Sequence, residues 1–320
     1  MQVTPDKPTL SVIVCTRDRK DALLACLAAL EAACRGVHRE CVEIVVVDNG
    51  SSDGTVQAVE RFAESASVDL VIARETRRGL SMARNHAIQV SHGRLLAFTD
   101  DDCRVAPDYV TRLLSLFASD ERPVLRGGRV ELGDPADAPV TIQTAHGIVA
   151  WERSLASTRL RALGGGQLLG CNISMQREVI ERIGGFDERL GPGQRIPAGE
   201  DADFVFRAYR AGFRVEYNDT IVVRHFHGRR RGAPIEDLLK GYAMGAGALY
   251  WKHNIHHPNF ASKIARRGAK KVDAIEHGAR HGNDLPAIPD ISIGQKIAWA
   301  LKGFISYPVA ALLMGHRTSW

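Results

Sequence analysis

Three consecutive carboxylates, Asp100, Asp101 and Asp102, stand directly after an apolar run of the sequence. Adjacent carboxylates repel one another, and this repulsion costs stability unless a cation neutralises it. Because alternate residues of an extended segment point the same way, Asp100 and Asp102 can share one direction. Carboxylate oxygens suit Mg²⁺ or Mn²⁺, whose coordination is usually completed by substrate phosphates. The triplet therefore predicts a metal site, with a solvated acidic turn or a helix N-cap as the alternative.

Two more polar segments follow apolar runs, at 16–19 and at 48–54. In the second segment, Asp48 is predicted to accept hydrogen bonds from a base or a ribose. The alternative is a plain turn in which Asp53 or Thr55 caps the next helix. Both interpretations can hold together, because different residues serve each role.

The elements that must position these segments alternate between short apolar runs and amphipathic runs. Continuous Val and Ile runs indicate a mostly parallel sheet with helices on both faces, so the predicted fold class is α/β. Ligands bind such sheets at the carboxyl ends of the strands, which predicts that the three polar segments meet at one place. The predicted strands are 10–15, 42–47, 68–73 and 94–98, and the predicted helices are 21–33, 54–65 and 80–90.

The second half of the chain has a weaker pattern, and the region 127–166 is the least regular. Beyond 231 the sequence is predominantly helical and ends in an apolar tail at 297–314. The predicted elements of this half are helices at 176–183, 200–211 and 235–251, and short strands at 215–217 and 221–223.

The composition is that of an ordinary globular protein, with 45% apolar residues, 25% charged residues and a net charge of +5. Six cysteines form no CxxC pair, which predicts free thiols in a reducing compartment, and no secretory signal is expected at 1–8. Basic runs at 229–231, 266–267 and 270–271 suit an anionic surface or form a solvated face.

The apolar tail is interrupted by Lys302 and Pro308, and it falls short of the roughly 18 uninterrupted apolar residues of a membrane span. Two interpretations of the tail are open. It is either a helix that lies in a membrane interface or a helix that packs on the body of the protein.

Short motifs occur in a fixed order along the first two-thirds of the chain, and each is weak alone. Together they resemble the family 2 inverting glycosyltransferases of the GT-A fold, over residues 10–231. The resemblance implies a catalytic domain at 1–231. The remainder, 232–320, carries no such motif, and its pattern predicts a helical basic extension with membrane association as one interpretation. The motifs are SVIVCTRDR at 11–19, VVVDNGSSDGT at 45–55, GLSMARN at 79–85, FTDDD at 98–102, GGFDE at 184–188, GEDADF at 199–204 and VRH at 223–225.

On the donor side, the resemblance implies that the loop after the first strand holds a nucleotide-sugar. In this sequence the loop supplies Thr16, Arg17 and Arg19. The resemblance also implies that Asp48 contacts the base and that Arg84 faces the donor.

On the metal side, the resemblance implies that Asp100 and Asp102 bind the ribose and a divalent cation, Mn²⁺ or Mg²⁺, that bridges the diphosphate. Asp101 is assigned to the same donor site. His225 resembles a residue that approaches the metal in some members, and imidazole is a suitable ligand beside carboxylates. His227 is predicted to share a strand face with His225.

The pair Glu200 and Asp201 supplies the catalytic base in the resemblance, and Asp201 is the predicted base. Glycosyl transfer requires a cation that stabilises the departing diphosphate and a carboxylate that takes the proton of the acceptor hydroxyl. A base on the face opposite the diphosphate inverts the anomeric centre. Since adjacent helical residues face different directions, only one of the two is expected to act as base. The alternative is a pair of favourable carboxylates at a helix N-terminus.

The predicted function is therefore sugar transfer from a nucleoside-diphosphate donor, UDP favoured, to a hydroxyl of a glycan or lipid-linked acceptor. The predicted location is the cytoplasm, extending to the inner face of the membrane, and nucleic acid is not an expected partner. One rival is a nucleotidyltransferase that makes nucleotide-sugars, but such enzymes normally carry a Gly-rich loop, which 16–19 lacks. The other rival is a non-catalytic carbohydrate- or membrane-binding protein, against which the full set of acidic residues argues.

Overall fold

The structure, a computed structural model, describes residues 8–151, 168–230, 233–254 and 291–314 of the 320-residue chain. The predicted domain boundary at 231/232 lies outside the described residues, and so do the basic runs at 266–267 and 270–271.

The first half of the chain has the predicted alternation of strands and helices. Its elements are β1 (Leu10–Thr16), α1 (Lys20–Ala33), a 3₁₀ turn (Arg39–Cys41), β2 (Val42–Asp48), α2 (Thr55–Ser65), β3 (Asp69–Arg74), α3 (Leu80–Val90) and β4 (Leu95–Asp100). Strands β3, β2, β1 and β4 are neighbours in that order and are parallel. The register sets Thr16 beside Asp48 and Cys15 beside Asp100, so the polar segments after β1, β2 and β4 meet at one edge of the sheet, as predicted.

The second half extends the same sheet with strands that run in both directions. Its elements are β5 (Cys103–Val105), α4 (Tyr109–Ala118), β6 (Val124–Leu132), β7 (Ile148–Trp151), β8 (Asn172–Gln176), α5 (Arg177–Ile183), α6 (Glu200–Arg210) and β9 (Arg214–His225). The sheet order is β3-β2-β1-β4-β8-β6-β9-β5, and β7 also pairs with β9. Strand β8 is antiparallel to both of its neighbours. The result is a mostly parallel sheet with an antiparallel insertion, which continues the predicted α/β architecture.

Two expectations for this half are wrong. The region that starts at 127 was expected to be irregular, yet β6 occupies its beginning. The segments 215–217 and 221–223 belong to a single strand, β9. The intervening Asn218 and its neighbours are turn formers in the sequence, and the buried Asn218 side chain accepts the Thr220 N–H at 3.0 Å inside the strand. A register shift after Gly128 of β6 absorbs the irregularity.

Helices cover both faces of the sheet, and alternate strand residues belong to different cores. Val12 and Val14 join Leu27 of α1 and Leu113 of α4 in one apolar cluster. Ile13, between them, joins the cluster of α3, α5 and α6 on the other face.

Two helices follow this body, α7 (Ala233–Asn254) and α8 (Ile293–Met314). The two helices cross closely. A Cβ added at Gly247 would collide with the Ala300 carbonyl, and one added at Gly303 would collide with the Met244 carbonyl. Helix α7 also packs on the body, where a Cβ at Gly245 would lie 2.7 Å from the carbonyl oxygen of Ala198.

Helix α8 keeps one face on the protein and one face in solvent. Tyr307 is buried, whereas Leu301, Ile305 and Leu312 are 40%, 62% and 83% exposed. Among the described residues, α8 is the one helix long and apolar enough to cross a membrane by length and composition, with 22% of its most apolar window buried. The helix runs through Pro308, which the sequence had suggested as an interruption.

We expect Gly303→Ala to destabilise the protein by about 1–3 kcal/mol, because the added methyl group must push α7 and α8 apart. Gly294→Ala is the matched control, since its Cβ would meet only Ser292 Oγ at 3.9 Å. Denaturant unfolding followed by tryptophan fluorescence measures both, with Trp251 and Trp299 as reporters in the two helices. Equal stability of the two variants would contradict the close crossing.

Candidate functional site

A cavity of about 360 Å³ opens at the carboxyl ends of β1 and β4. Its walls come from the loops after these strands, from α3, from 169–171, from the turn before α6 and from α7. It brings together all the predicted site residues except Asp48: Thr16, Arg17, Arg19, Arg84, Asp100, Asp101, Asp102, Glu200, Asp201 and His225.

The acidic turn after β4 forms one wall, together with the end of β9. Ligand atoms of Asp100, Asp102 and His225 all lie within 4.8 Å of one another. Asp102 Oδ1 is buried without a hydrogen-bond partner and lies 3.2 Å from His225 Nε2, which is an ion-pair distance. A buried carboxylate oxygen without a donor is costly unless a cation completes its environment. Two carboxylates and one imidazole thus fit a Mn²⁺ or Mg²⁺ ion.

The charges around the turn compensate one another. Burial alone would raise the pKa of Asp102, but the His225 imidazolium and the Arg19 guanidinium hold it well below its usual range. Arg19 Nη1 donates to Asp102 Oδ2 at 2.6 Å. Burial lowers the pKa of His225, but the contact with Asp102 outweighs burial and raises it to about 9. This arrangement keeps the Asp102 carboxylate ionised at neutral pH.

The orientation of His225 is fixed from behind. Its Nδ1 lies 3.2 Å from both the carbonyl oxygen and the Oγ1 of Thr141. The other nitrogen, Nε2, is thereby directed at the acidic turn, which is how protein frameworks orient imidazole ligands. His227 stacks edge-on against His225 with centroids 5.1 Å apart, and burial with the neighbouring His225 charge lowers its pKa to about 4.

Asp101 shares Arg19 Nη1 with Asp102 and also binds the loop after β1. Its Oδ2 accepts the Thr16 hydroxyl at 2.8 Å and its Oδ1 accepts Arg19 at 3.1 Å. Burial and the charge of Asp102 raise the pKa of Asp101 to about 6, although Arg19 opposes the rise. Thr16 and Asp101 both line the cavity, but their polar atoms bind each other and join the loop after β1 to the acidic turn.

Arg84 links the acidic turn to the start of helix α6, which carries the predicted catalytic base. Its side chain is 3% exposed, its Nη2 donates to Asp100 Oδ1 at 3.0 Å, and its Nη1 lies 3.5 Å from Glu200 Oε1. The guanidinium also stacks over the Phe186 ring at 5.2 Å. Arg84 therefore fixes the spacing between two groups of carboxylates.

Helix α6 begins after Gly199, whose φ of 101° is the left-handed conformation that glycine adopts without strain. The next two residues, Glu200 and Asp201, both border the cavity. Burial and the charge of Asp201 raise the pKa of Glu200 to about 7, and Arg84 opposes the rise. Asp201 accepts backbone N–H groups from Gly170 at 3.2 Å and from Ala202 at 2.6 Å.

Ion pairs hold α6 from its far side. Asp203 is fully buried and accepts Lys252 at 2.8 Å and His253 at 2.7 Å, both from α7. Lys252 also donates to Asp187 at 2.7 Å, and Asp187 accepts the Tyr307 hydroxyl of α8 at 2.6 Å. The two C-terminal helices are thus tied to the helix that carries Glu200 and Asp201.

Asp48 is the predicted site residue that the cavity lining does not include. It lies at the end of β2 and is 2% exposed. Its carboxylate accepts the N–H groups of Gly50 at 3.2 Å and Ser51 at 3.1 Å, so it organises the turn that follows. In the same turn Asp53 accepts the Thr55 N–H at 3.0 Å, which is the alternative that the sequence offered.

Residues of α7 border the cavity and were not predicted. Leu238 and Tyr242 form part of its wall, and Thr141 contributes from the loop after β6. None of them belongs to a recognisable motif. The available signal was the pair Gly241 and Gly245, whose spacing marks a helix face that another backbone approaches closely.

Known proteins resemble this chain in sequence and in fold. Residues 11–184 match the family model described as glycosyl transferase family 2. The chain is 25% identical over 256 residues to glycosyltransferase AglE of Haloferax volcanii, covering 77% of this chain and 75% of that protein. It is 24% identical over 221 residues to the glucosyl-dolichyl phosphate glucuronosyltransferase of the same organism, covering 68% of each.

Solved structures share the fold. The mannosyltransferase PcManGT from Pyrobaculum calidifontis, in complex with GDP-Man and Mn2+, aligns with a TM-score of 0.57 at 20% identity over 97% of this chain and 87% of that chain. S. aureus TarS 1-349 in complex with UDP-GlcNAc aligns with a TM-score of 0.55 at 17% identity over 94% of this chain and 92% of that chain. The predicted GT-A fold is confirmed.

We expect Glu200→Gln to stabilise the protein at pH 8 and to change its stability little at pH 4.5. The folded-state pKa of about 7 exceeds the ordinary value of 4.5, so the folded protein retains a proton that the unfolded chain has released. The resulting destabilisation grows as pH rises through this window and is complete above pH 7, where it amounts to about 3 kcal/mol.

Denaturant unfolding at the two pH values measures this difference. Glu178→Gln, at an exposed position of α5, is the control and should show no such pH dependence. A Glu200→Gln variant no more stable than the parent at pH 8 would contradict the raised pKa.

Proposed function

The chain belongs to glycosyl transferase family 2, and on that premise we propose that it transfers a sugar from a nucleoside-diphosphate donor to a hydroxyl acceptor with inversion at the anomeric carbon. The observation that carries this proposal is the shared cavity, in which Asp100, Asp102 and His225 face the start of α6. Family membership disfavours both rivals, the nucleotidyltransferase and the non-catalytic binding protein.

We assign the cation to Asp100, Asp102 and His225, because their donor set suits Mn²⁺ or Mg²⁺ and because their ligand atoms all lie within 4.8 Å of one another. When bound, the cation supplies charge stabilisation for the departing diphosphate. The structure of PcManGT with GDP-Man and Mn2+ supports this class of donor and cation.

For the donor, we propose that Arg17 and Arg19 hold the diphosphate end at the mouth of the loop after β1. Both guanidiniums are partly exposed at the cavity, at 41% and 44%. We propose that the Asp48 carboxylate binds the nucleobase of the donor and that the turn at 50–51 positions this carboxylate. A UDP donor is favoured, and the TarS structure with UDP-GlcNAc supports that choice.

We propose Asp201 as the base that takes the proton of the acceptor hydroxyl. Two backbone N–H groups orient its carboxylate, and the residue lines the cavity. Glu200 Oε1 lies 3.5 Å from Arg84 Nη1, so we assign Glu200 as a partner of Arg84 rather than as the base. Attack from the side of Asp201, opposite the diphosphate, inverts the anomeric centre.

The test is release of nucleoside diphosphate from a panel of donors with Mn²⁺ or Mg²⁺, with and without chelator. We expect Asp201→Asn to lower turnover by about 10²- to 10⁴-fold with unchanged donor affinity, because only proton transfer is lost. Asp102→Asn should mimic the chelator, because it removes a cation ligand.

Asp108→Asn, in an exposed pair with Arg112, is the control and should keep full turnover. Turnover that survives both Asp102→Asn and chelator would refute the cation assignment. An active Asp201→Asn beside an inactive Glu200→Gln would transfer the base role to Glu200. Release of pyrophosphate instead of nucleoside diphosphate would indicate nucleotidyl transfer.

For the acceptor, we propose a lipid-linked sugar at a membrane surface, reached through the solvent face of α8. Leu301, Ile305, Val309 and Leu312 follow one another at intervals of four, four and three residues and are all exposed. A stripe of this kind suits a helix that lies in the interface rather than one that spans the bilayer. The net charge of +5 favours anionic lipid, and the dolichyl phosphate in the name of one relative supports a lipid-linked acceptor.

We expect the protein to sediment with anionic vesicles and the L301D/I305D variant to bind them at least about 10-fold more weakly, because two buried apolar side chains are lost. Ile148→Asp is the matched control, since Ile148 is 60% exposed on β7 instead of α8. Equal vesicle binding by all three proteins would contradict the interface role of α8.

A further inference from the structure

A second group of potential metal ligands lies beside the acidic turn and uses a different chemistry. Cys103, at the start of β5, pairs across the sheet with His225 of β9. Cys171 precedes β8 by one residue and borders the cavity. The ligand atoms of Cys103, Cys171 and His225 all lie within 4.8 Å of one another, and the three residues are 0%, 4% and 5% exposed.

This set differs in kind from the carboxylates next to it. Two sulfurs and one imidazole nitrogen are the ligands of a tetrahedral thiophilic ion such as Zn²⁺ or Cd²⁺, whereas Asp100 and Asp102 suit hard cations. A divalent ion that binds here displaces three protons to solvent, one from each thiol and one from His225 Nε2, and its charge is then neutralised by the two thiolates. The bound ion therefore avoids the free-energy cost of burying an uncompensated charge.

The two ligand sets share one residue. His225 Nδ1 contacts Thr141, which leaves Nε2 as the nitrogen open to an ion, and Nε2 also faces Asp102. One imidazole nitrogen cannot bind two ions, so occupation of one set removes a ligand from the other. Cys171 lines the cavity, which gives an ion a route to the sulfurs from the donor side.

We propose that Cys103, Cys171 and His225 form a second metal site that takes Zn²⁺ or Cd²⁺ and, when filled, withdraws His225 from the donor-site cation. The binding itself does not depend on the proposed transfer reaction. The competition rests on the proposed role of His225. A thiophilic ion bound at this second site is therefore an inhibitor of the proposed transfer reaction.

The direct test is titration of the whole protein with Cd²⁺, read as thiolate-to-cadmium charge-transfer absorbance, with no donor or acceptor present. The wild-type protein should saturate at about one equivalent. Cys103→Ser and Cys171→Ser should each lose the band, whereas Cys41→Ser, at a free thiol of the 3₁₀ turn, should retain it. Absence of the band in the wild type, or its persistence in both variants, would overturn the site.

Two measurements guard against variants that fail to fold. A ¹¹³Cd NMR signal from the unaltered protein reports mixed sulfur and nitrogen ligation without any substitution, and purely oxygen ligation would overturn the site. In the assay of nucleoside diphosphate release, the Zn²⁺ concentration that halves turnover should be at least 10-fold higher for Cys103→Ser than for the wild type. Equal Zn²⁺ sensitivity of the wild type and Cys103→Ser would overturn the proposed competition for His225. Loss of all transfer activity in Cys103→Ser would not change what the Cd²⁺ titration shows about the site.

Discussion

The buried guanidinium of Arg84 is the contact on which the geometry of the cavity depends. It binds Asp100 from the turn after β4 and approaches Glu200 from the start of α6, two segments that are a hundred residues apart in the sequence. A buried cation of this kind needs a compensating charge close to it, and Asp100 supplies that charge at 3.0 Å. Arg19 performs the same neutralisation on the solvent side of the turn, for Asp101 and Asp102. Between the two arginines, the three adjacent carboxylates can coexist.

The parallel half of the fold was predictable because its strands are continuous apolar runs. β1, β2 and β4 are buried on both faces, so their sequences carry a signal that needs no knowledge of neighbours. The second half of the sheet lacks that signal. In β6, Arg126 is buried because Glu216 accepts its Nε at 2.6 Å and Asp120 pairs with its other nitrogens. A strand whose interior position is an arginine with partners from elsewhere in the chain does not show in local periodicity.

The same distinction separates the predicted and unpredicted parts of the site. Asp100, Asp102 and Asp201 were found because each stands at the end of a strand or the start of a helix within a recognisable motif. The wall formed by Leu238 and Tyr242, and the support of α6 by Lys252, come from a helix whose sequence resembles no motif. Their positions follow from tertiary packing alone. For Asp48 the sequence suggested a ligand contact, and the structure adds a turn that its carboxylate organises.

The contact of Gly245 with Ala198 has a consequence for how acceptor specificity can diversify on this scaffold. Helix α7 forms one side of the cavity, so its exchange for the corresponding helix of a relative would change residues that border the site. Any side chain at 245 would press on the backbone just ahead of Glu200 and displace the start of α6. A chimaera of two such enzymes must therefore preserve a glycine at this one junction, whatever else changes in the exchanged helices.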